Sequence, residues 1–192
     1  MTRMDPKAAI EVVHAARGAN DVVITTMMPA RDWMTLSQNP LDMVLVPSAM
    51  SHATSMGLGI ALAQPERRVI VCNGDGSMLM NLGSLVSIAA AKATNMLVVV
   101  FENGSYDVTG AQPVPGAGVV DFAAIARGAG FASAVEFEDV DSWRAALPNL
   151  LHASGPTLVV LRVKPSEGHG PKSPGPAGER AKRLREALQS PA

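Results

Sequence analysis

Two kinds of apolar spacing alternate along this chain. Dense runs at residues 21–26, 43–46, 69–72, 96–101, 132–137 and 157–163 predict strands, the run at 96–101 being the most apolar. Between them, apolar residues recur at spacings of three and four and predict helices over 6–17, 53–63, 78–92, 122–129 and 142–152. In the third of these the set is Met78, Leu79, Leu82, Leu85, Val86 and Ala89, and the second is stopped by Pro65. Such alternation predicts a single three-layer α/β domain, a parallel sheet covered by helices on both faces. The loops after its strands gather at one edge of the sheet, where ligands of this architecture sit. Beyond residue 164 the pattern changes. Residues 164–178 are rich in Pro, Gly and Ser and read as a flexible loop, with His169 between two glycines, and 179–189 read as a short basic amphipathic helix with a solvated charged face. The organisation is one domain over residues 1–165 followed by a tail over 166–192.

Length and charge narrow the function. At 192 residues the chain has room for one such domain and not for two. A net charge of −1 gives no electrostatic footprint for nucleic acid. The single Cys72 falls in a predicted buried strand, so no disulfide framework exists and a reducing cytoplasm is the expected setting. No apolar run reaches the roughly 18 residues of a membrane span, and residues 1–20 do not read as a signal peptide.

The candidate chemistry lies where the run at 69–72 ends. Gly74-Asp75-Gly76-Ser77 links a strand to a helix, a geometry that offers backbone N–H groups to a phosphate. A carboxylate beside a diphosphate is repelled by roughly 4 kcal/mol per charge pair at about 4 Å and an effective dielectric of about 20, so Asp75 requires a bridging cation. A hard ion such as Mg²⁺ takes oxygen ligands from one or two protein groups and from the phosphates. The strand at 96–101 runs into Glu102-Asn103-Gly104-Ser105-Tyr106, and a right-handed strand–helix–strand unit places its end beside that of the preceding strand. Asp75 and Asn103, 28 positions apart, then face one metal. Two other phosphate loops are excluded: position 79 is Leu rather than the third Gly of a dinucleotide fingerprint, and no Gly-Lys-Ser/Thr follows. Asn-Gly after a strand is, by itself, only a turn signal.

Gly-Asp-Gly followed by 26 residues and then Asn resembles the diphosphate-binding motif of thiamine diphosphate enzymes. The resemblance implies the thiamine diphosphate-binding fold over about residues 5–165. It implies that Asp75, Asn103 and the carbonyl of Ser105 hold Mg²⁺, while Gly74, Gly76 and the Ser77 hydroxyl touch the phosphates. Pro47 to Ala53 and Gly57 to Arg68 look like the loop and helix that precede Gly-Asp-Gly in 2-oxo acid decarboxylases, which implies that Met50 is the apolar wedge under the cofactor. The stretch Tyr106-Asp107-Val108-Thr109-Gly110-Ala111-Gln112, with Met80 to Leu85, resembles the β-type subunits of sulfopyruvate decarboxylase and the matching part of phosphonopyruvate decarboxylase, and brings Tyr106 to the cofactor site. Glu102 is expected to point away from the metal because neighbours on a strand alternate in direction. Two departures stand out: Met27, in the loop read over 25–31, and Ser51 occupy positions where the family has Gly.

Thiamine diphosphate chemistry also needs a carboxylate, usually Glu, at the aminopyrimidine ring. In the family that Glu lies in a separate pyrimidine-binding domain, for which this chain has no room. The resemblance therefore implies a second subunit that supplies the Glu, with at least an α₂β₂ assembly and a small 2-oxo acid as substrate. His52 is a weak catalytic candidate in this chain. Two further readings stay open: a subunit of an acetolactate-type carboligase, and a non-catalytic thiamine diphosphate-binding subunit.

Overall fold

The computed structural model describes residues 3–46, 50–166 and 173–191. Pro47, Ser48 and Ala49 of the loop before Met50, and 167–172 with His169, lie outside the described residues. In chain order the elements are α1 (Pro6–Ala16), β1 (Val22–Thr26), α2 (Met27–Leu36), β2 (Asp42–Leu45), α3 (Ala53–Ala63), β3 (Val69–Gly74), α4 (Asp75–Leu79), α5 (Gly83–Ala90), β4 (Met96–Glu102), the short strands β5 (Ser105–Tyr106) and β6 (Gln112–Pro113), α6 (Phe122–Ala129), β7 (Ser133–Phe137), α7 (Val140–His152), β8 (Thr157–Arg162) and α8 (Ala177–Leu188). Six strands form one parallel sheet in the order β2-β1-β3-β4-β8-β7.

Alternate residues of the central strands feed two cores. Val23, Ile70, Cys72, Leu97, Val99 and Val159 face Ile10 of α1, Trp33 of α2 and Trp143 of α7. Ile24, Val71, Met96, Val98, Val100 and Leu158 face α3, α5 and α6, contacting side chains such as Leu85, Ile88 and Phe122. A two-residue period on strands buried from both sides thus yields the three layers. The approach of α3 to the sheet depends on Gly57, where a Cβ would lie 2.9 Å from the Met96 methyl and closer still to Val71. Asp5, Asp121 and Asp139 cap α1, α6 and α7 by accepting from backbone N–H groups of the first turn, and Pro6 opens α1. No helix among the described residues is long and apolar enough to cross a membrane.

Three expectations need correction. Residues 78–92 do not form one helix: α4 and α5 are separated at Met80–Leu82, where Asn81 donates its side-chain amide to the Ser51 carbonyl at 3.0 Å and to Ser55 Oγ at 3.3 Å. Asn81 N–H and Ser84 N–H bond back three residues, to Met78 and Asn81, so the backbone turns tightly there instead of continuing. Residues 25–31 are not a loop, because α2 starts directly from β1, with Met27 at φ 58°. The tail helix is not simply solvated. Arg180 donates to the carbonyls of Val44 (2.9 Å) and Val46 (2.6 Å), which edge strand β2 and its exit leave without partners in the sheet, and Leu184 is buried in the second core.

Candidate functional site

The chain runs from β1 to β2 on one side and then to β3 on the other side of β1, so the connections leaving β1 and β3 diverge at the carboxyl ends of the strands. A pocket opens at that switch point. Met27 and Met28 at the end of β1 and Met50 beyond β2 line it, together with Asp75 at the end of β3 and Asn103 and Asp107 beyond β4.

Asp75 is the first residue of α4 and is 2% exposed. Its Oδ1 accepts from Gly76 N–H and its Oδ2 from Gly104 N–H, each at 2.7 Å. Burial pushes the Asp75 carboxyl above its ordinary range, against the pull of the backbone N–H groups of Gly104, Gly76 and Asn103, and the charge of Asp107 adds to the rise. Among the described residues no Lys, Arg or His pairs with Asp75. The result is a buried acid facing an open pocket without a countercharge.

Asn103 follows β4 and is 6% exposed. The parallel register sets Gly74 opposite Phe101, which brings the ends of β3 and β4 together as the spacing predicts. Asn103 is held at three atoms. Its Oδ1 accepts from Ser105 N–H at 2.8 Å, its Nδ2 donates to Asp107 Oδ2 at 2.8 Å, and its carbonyl accepts from Arg3 Nη1 at 2.8 Å. Ser105 pairs with Pro113 in the β5–β6 hairpin. The ladder bonds fall on its neighbours, Val114 N–H donating to the Gly104 carbonyl at 3.1 Å, so the Ser105 carbonyl points out of the hairpin ladder, and Ser105 Oγ is buried without a partner.

The glycines differ in what they offer. A Cβ on Gly74 would meet no atom within 4 Å, so this position opens into the pocket. Gly76 is covered: its N–H is given to Asp75, and a Cβ there would strike the Tyr106 ring, 2.7 Å from Cδ1. Ser77 is buried, and its Oγ accepts from Ser51 N–H at 3.0 Å while keeping its own proton to donate. Ser51 has φ 72° and Met27 φ 58°, so both residues standing where the family has Gly adopt the left-handed backbone that glycine favours.

Met50 reaches the pocket, whereas His52 does not line it. The His52 ring is exposed, and its Nδ1 lies 2.8 Å from the Met50 carbonyl, which can only accept, so Nδ1 carries the proton. Glu102 turns away from the pocket as expected and pairs with Arg162, which also holds Glu136 at 2.9 Å. Burial raises Glu102 to about 7 against the attraction of Arg162. In the Tyr-x-x-Thr-Gly-x-Gln stretch, Thr109 Oγ1 donates to Gln112 Oε1 at 3.1 Å and closes the turn above the pocket, with Gly110 at φ 109°. Arg3 and Asp107, the two side chains that fix Asn103, are not marked by spacing. Asp107 is visible in the sequence only as part of that stretch, and Arg3 has no signal because its contact is made across 100 residues.

Residues 22–161 match the family described as thiamine pyrophosphate enzyme, C-terminal TPP binding domain. Over 172 residues the chain is 37% identical to a phosphonopyruvate decarboxylase of Streptomyces viridochromogenes, a match covering 88% of this chain and 42% of that protein. It is 36% identical over 165 residues to sulfopyruvate decarboxylase subunit beta of Methanothermobacter thermautotrophicus, covering 84% of this chain and 85% of that subunit. The fold is shared with the thiamine diphosphate-dependent 4-hydroxybenzoylformate decarboxylase of Rhodococcus jostii RHA1 (TM-score 0.74, 22% identity), with 88% of this chain and 34% of that one aligned. With a family match over residues 22–161 and relatives 36–37% identical, the chain belongs to the thiamine diphosphate enzymes, as a C-terminal TPP-binding domain.

Proposed function

We propose that this chain is the diphosphate- and Mg²⁺-binding subunit of a heteromeric, cytoplasmic thiamine diphosphate-dependent decarboxylase. Its substrate is a short 2-oxo acid with a second anionic group, of the sulfopyruvate or phosphonopyruvate kind. The observation that carries the reading is Asp75, a buried carboxylate with no cationic partner among the described residues, facing Asn103 across an opening at Gly74. A doubly held Asn side chain, an unclaimed backbone carbonyl at Ser105 and a carboxylate form an all-oxygen donor set suited to a hard divalent ion.

In this reading Asp75, Asn103 Oδ1 and the Ser105 carbonyl hold the ion, and the ion offsets the charge that burial makes costly at Asp75. Ser77 donates its hydroxyl toward the phosphates, and Gly74 lets them approach the backbone. Gly76 contributes indirectly, by orienting Asp75 and admitting the Tyr106 ring. Met50, with Met27 and Met28, fills the apolar side and excludes water. Bound thiamine diphosphate supplies the electron sink for loss of CO₂ from the 2-oxo acid. The acids lining the pocket are Asp75 and Asp107, and no Glu lines it among the described residues. The pyrimidine-side Glu is assigned to a partner subunit, a reading supported by the similarity to a sulfopyruvate decarboxylase subunit beta, and two sites per α₂β₂ unit follow from symmetry.

The test is CO₂ release from sulfopyruvate, phosphonopyruvate and simple 2-oxo acids by the purified chain alone and after co-expression with a pyrimidine-domain subunit. Turnover is expected only from the mixture. Equal turnover by the chain alone would overturn the half-site reading, and acetolactate-type products in place of aldehydes would replace decarboxylation by carboligation.

A further inference from the structure

Asp107 concentrates three hydrogen bonds on one oxygen. Its Oδ2 accepts from Asn103 Nδ2, from Ser166 N–H and from Ser166 Oγ, all at 2.8 Å, while its Oδ1 is buried without a partner. Ser166 stands 59 positions away in sequence, just past β8. The neighbouring backbone is fixed as well: Met4 N–H donates to the Arg162 carbonyl and Lys164 N–H to the Met4 carbonyl, so the segment leading to Ser166 is stitched to residues 3–4, whose Arg3 holds the Asn103 carbonyl.

This arrangement decides which way the Asn103 amide faces. An ionised carboxylate only accepts, so the atom turned to Asp107 must be the amide nitrogen, and the amide oxygen is left on the opposite side, where Ser105 N–H meets it. Flipping the amide would set oxygen against the Asp107 carboxylate and NH₂ against the Ser105 N–H, losing both bonds at once. We propose that Asp107, held in place by Ser166, is a positioning residue that fixes Asn103 with its amide oxygen available to a divalent cation. This rests on the reading of Asp75 and Asn103 as the cation site. Outer-shell partners of metal ligands act in this manner, and their loss typically weakens metal affinity about ten- to a hundredfold.

The experiment is titration of Mn²⁺ into the full chain co-expressed with its pyrimidine-domain subunit, in the presence of thiamine diphosphate, followed by electron paramagnetic resonance, with circular dichroism as the folding control. Asp107→Ala is expected to weaken Mn²⁺ binding about ten- to a hundredfold. Asp107→Asn, which still presents an oxygen to Asn103 and Ser166, should restore affinity to within about threefold of the parent, and Ser166→Ala should weaken binding in the same direction by a smaller factor. The Asp107→Ala and Ser166→Ala effects should combine less than additively, because both act through one amide. Parent-like affinity in folded Asp107→Ala would overturn the proposal, and so would an Asp107→Asn loss as large as that of Asp107→Ala, which would assign the effect to charge. Should Asp107→Ala fail to fold, unchanged affinity in Ser166→Ala overturns the proposal instead. Asp75→Ala separates the two readings: if it binds Mn²⁺ like the parent, or if the parent binds none, the cation site falls and the role of Asp107 falls with it. If only Asp75→Ala loses binding, the role of Asp107 alone is wrong.

Discussion

On the β3–β4 side of the pocket, Asp75, Asn103 and Asp107 are each fixed by hydrogen bonds from backbone or amide groups. On the β1 side the wall is made of methionines, and the chain passes Met27 and Ser51 with left-handed backbone. The first wall is over-determined, since several bonds must fail before Asp75 or the Asn103 amide moves. The second is held by packing, against a local backbone cost of roughly 1–2 kcal/mol at each non-glycine residue in the left-handed region. In the proposed reading, a wall that must present particular atoms to an ion is built from directional bonds. A wall that only has to fill volume tolerates substitution, provided the backbone path is kept.

The sharpest way to break this contrast is Asp75→Ala. Thiamine diphosphate with Mg²⁺ at about 100 times the dissociation constant stabilises a binding protein by roughly 2.7 kcal/mol. Asp75→Ala should lose that entire increment in thermal denaturation while keeping the fold, and a retained shift would show that the polar wall is not the binding wall. A steric change on the same wall comes next. Gly76→Ala drives a methyl into the Tyr106 ring and should cost about 1–3 kcal/mol in urea denaturation. In a Tyr106→Ala background the same change should cost far less, and additive costs would mean that the ring is not what Gly76 accommodates. The smallest effect belongs to the other wall: Ser51→Gly removes a left-handed serine whose hydroxyl makes only a 3.3 Å contact with His52, and should stabilise the chain by up to about 1 kcal/mol. A destabilised Ser51→Gly chain would refute the strain assigned to this wall.

The sequence was legible where one short segment carries the whole signal. The buried strands and the helices α1, α6 and α7 announce themselves by period, and Asp75 and Asn103 come together because strand–helix–strand units have one hand. The break at Met80–Leu82 was hidden, since apolar spacing runs through it and the cause is a contact from Asn81 to Ser51 and Ser55, outside the segment itself. Helix α2 was hidden because residues 25–31 read as the loop where the family has Gly, and nothing in the sequence shows that Met27 takes the left-handed backbone and starts a helix whose Trp33 is fully buried in the core. The docking of α8 depended on carbonyls of β2 that only an edge strand leaves open. Around Asn103, spacing brought the candidate side chain to the pocket but not its supports, because Arg3 and Ser166 reach it through contacts that join distant parts of the chain.

The placement of β8 between β4 and β7 sets an order of assembly. Residues 22–107 contain β2, β1, β3 and β4 as consecutive neighbours together with Asn103 and Asp107, so both pocket walls can be laid down while the later strands are still being made. Strand β7 emerges before its only neighbour in the sheet and has nothing to pair with until residues 157–162 arrive; the outer edge of β4 stays open for the same interval. The bonds from Arg162 to Glu102 and from Ser166 to Asp107 close only with that last strand. A nascent chain would thus hold its pocket floor early and gain the fixed orientation of Asn103 late, when the sequence-distant pairing of β4 with β8 completes the sheet.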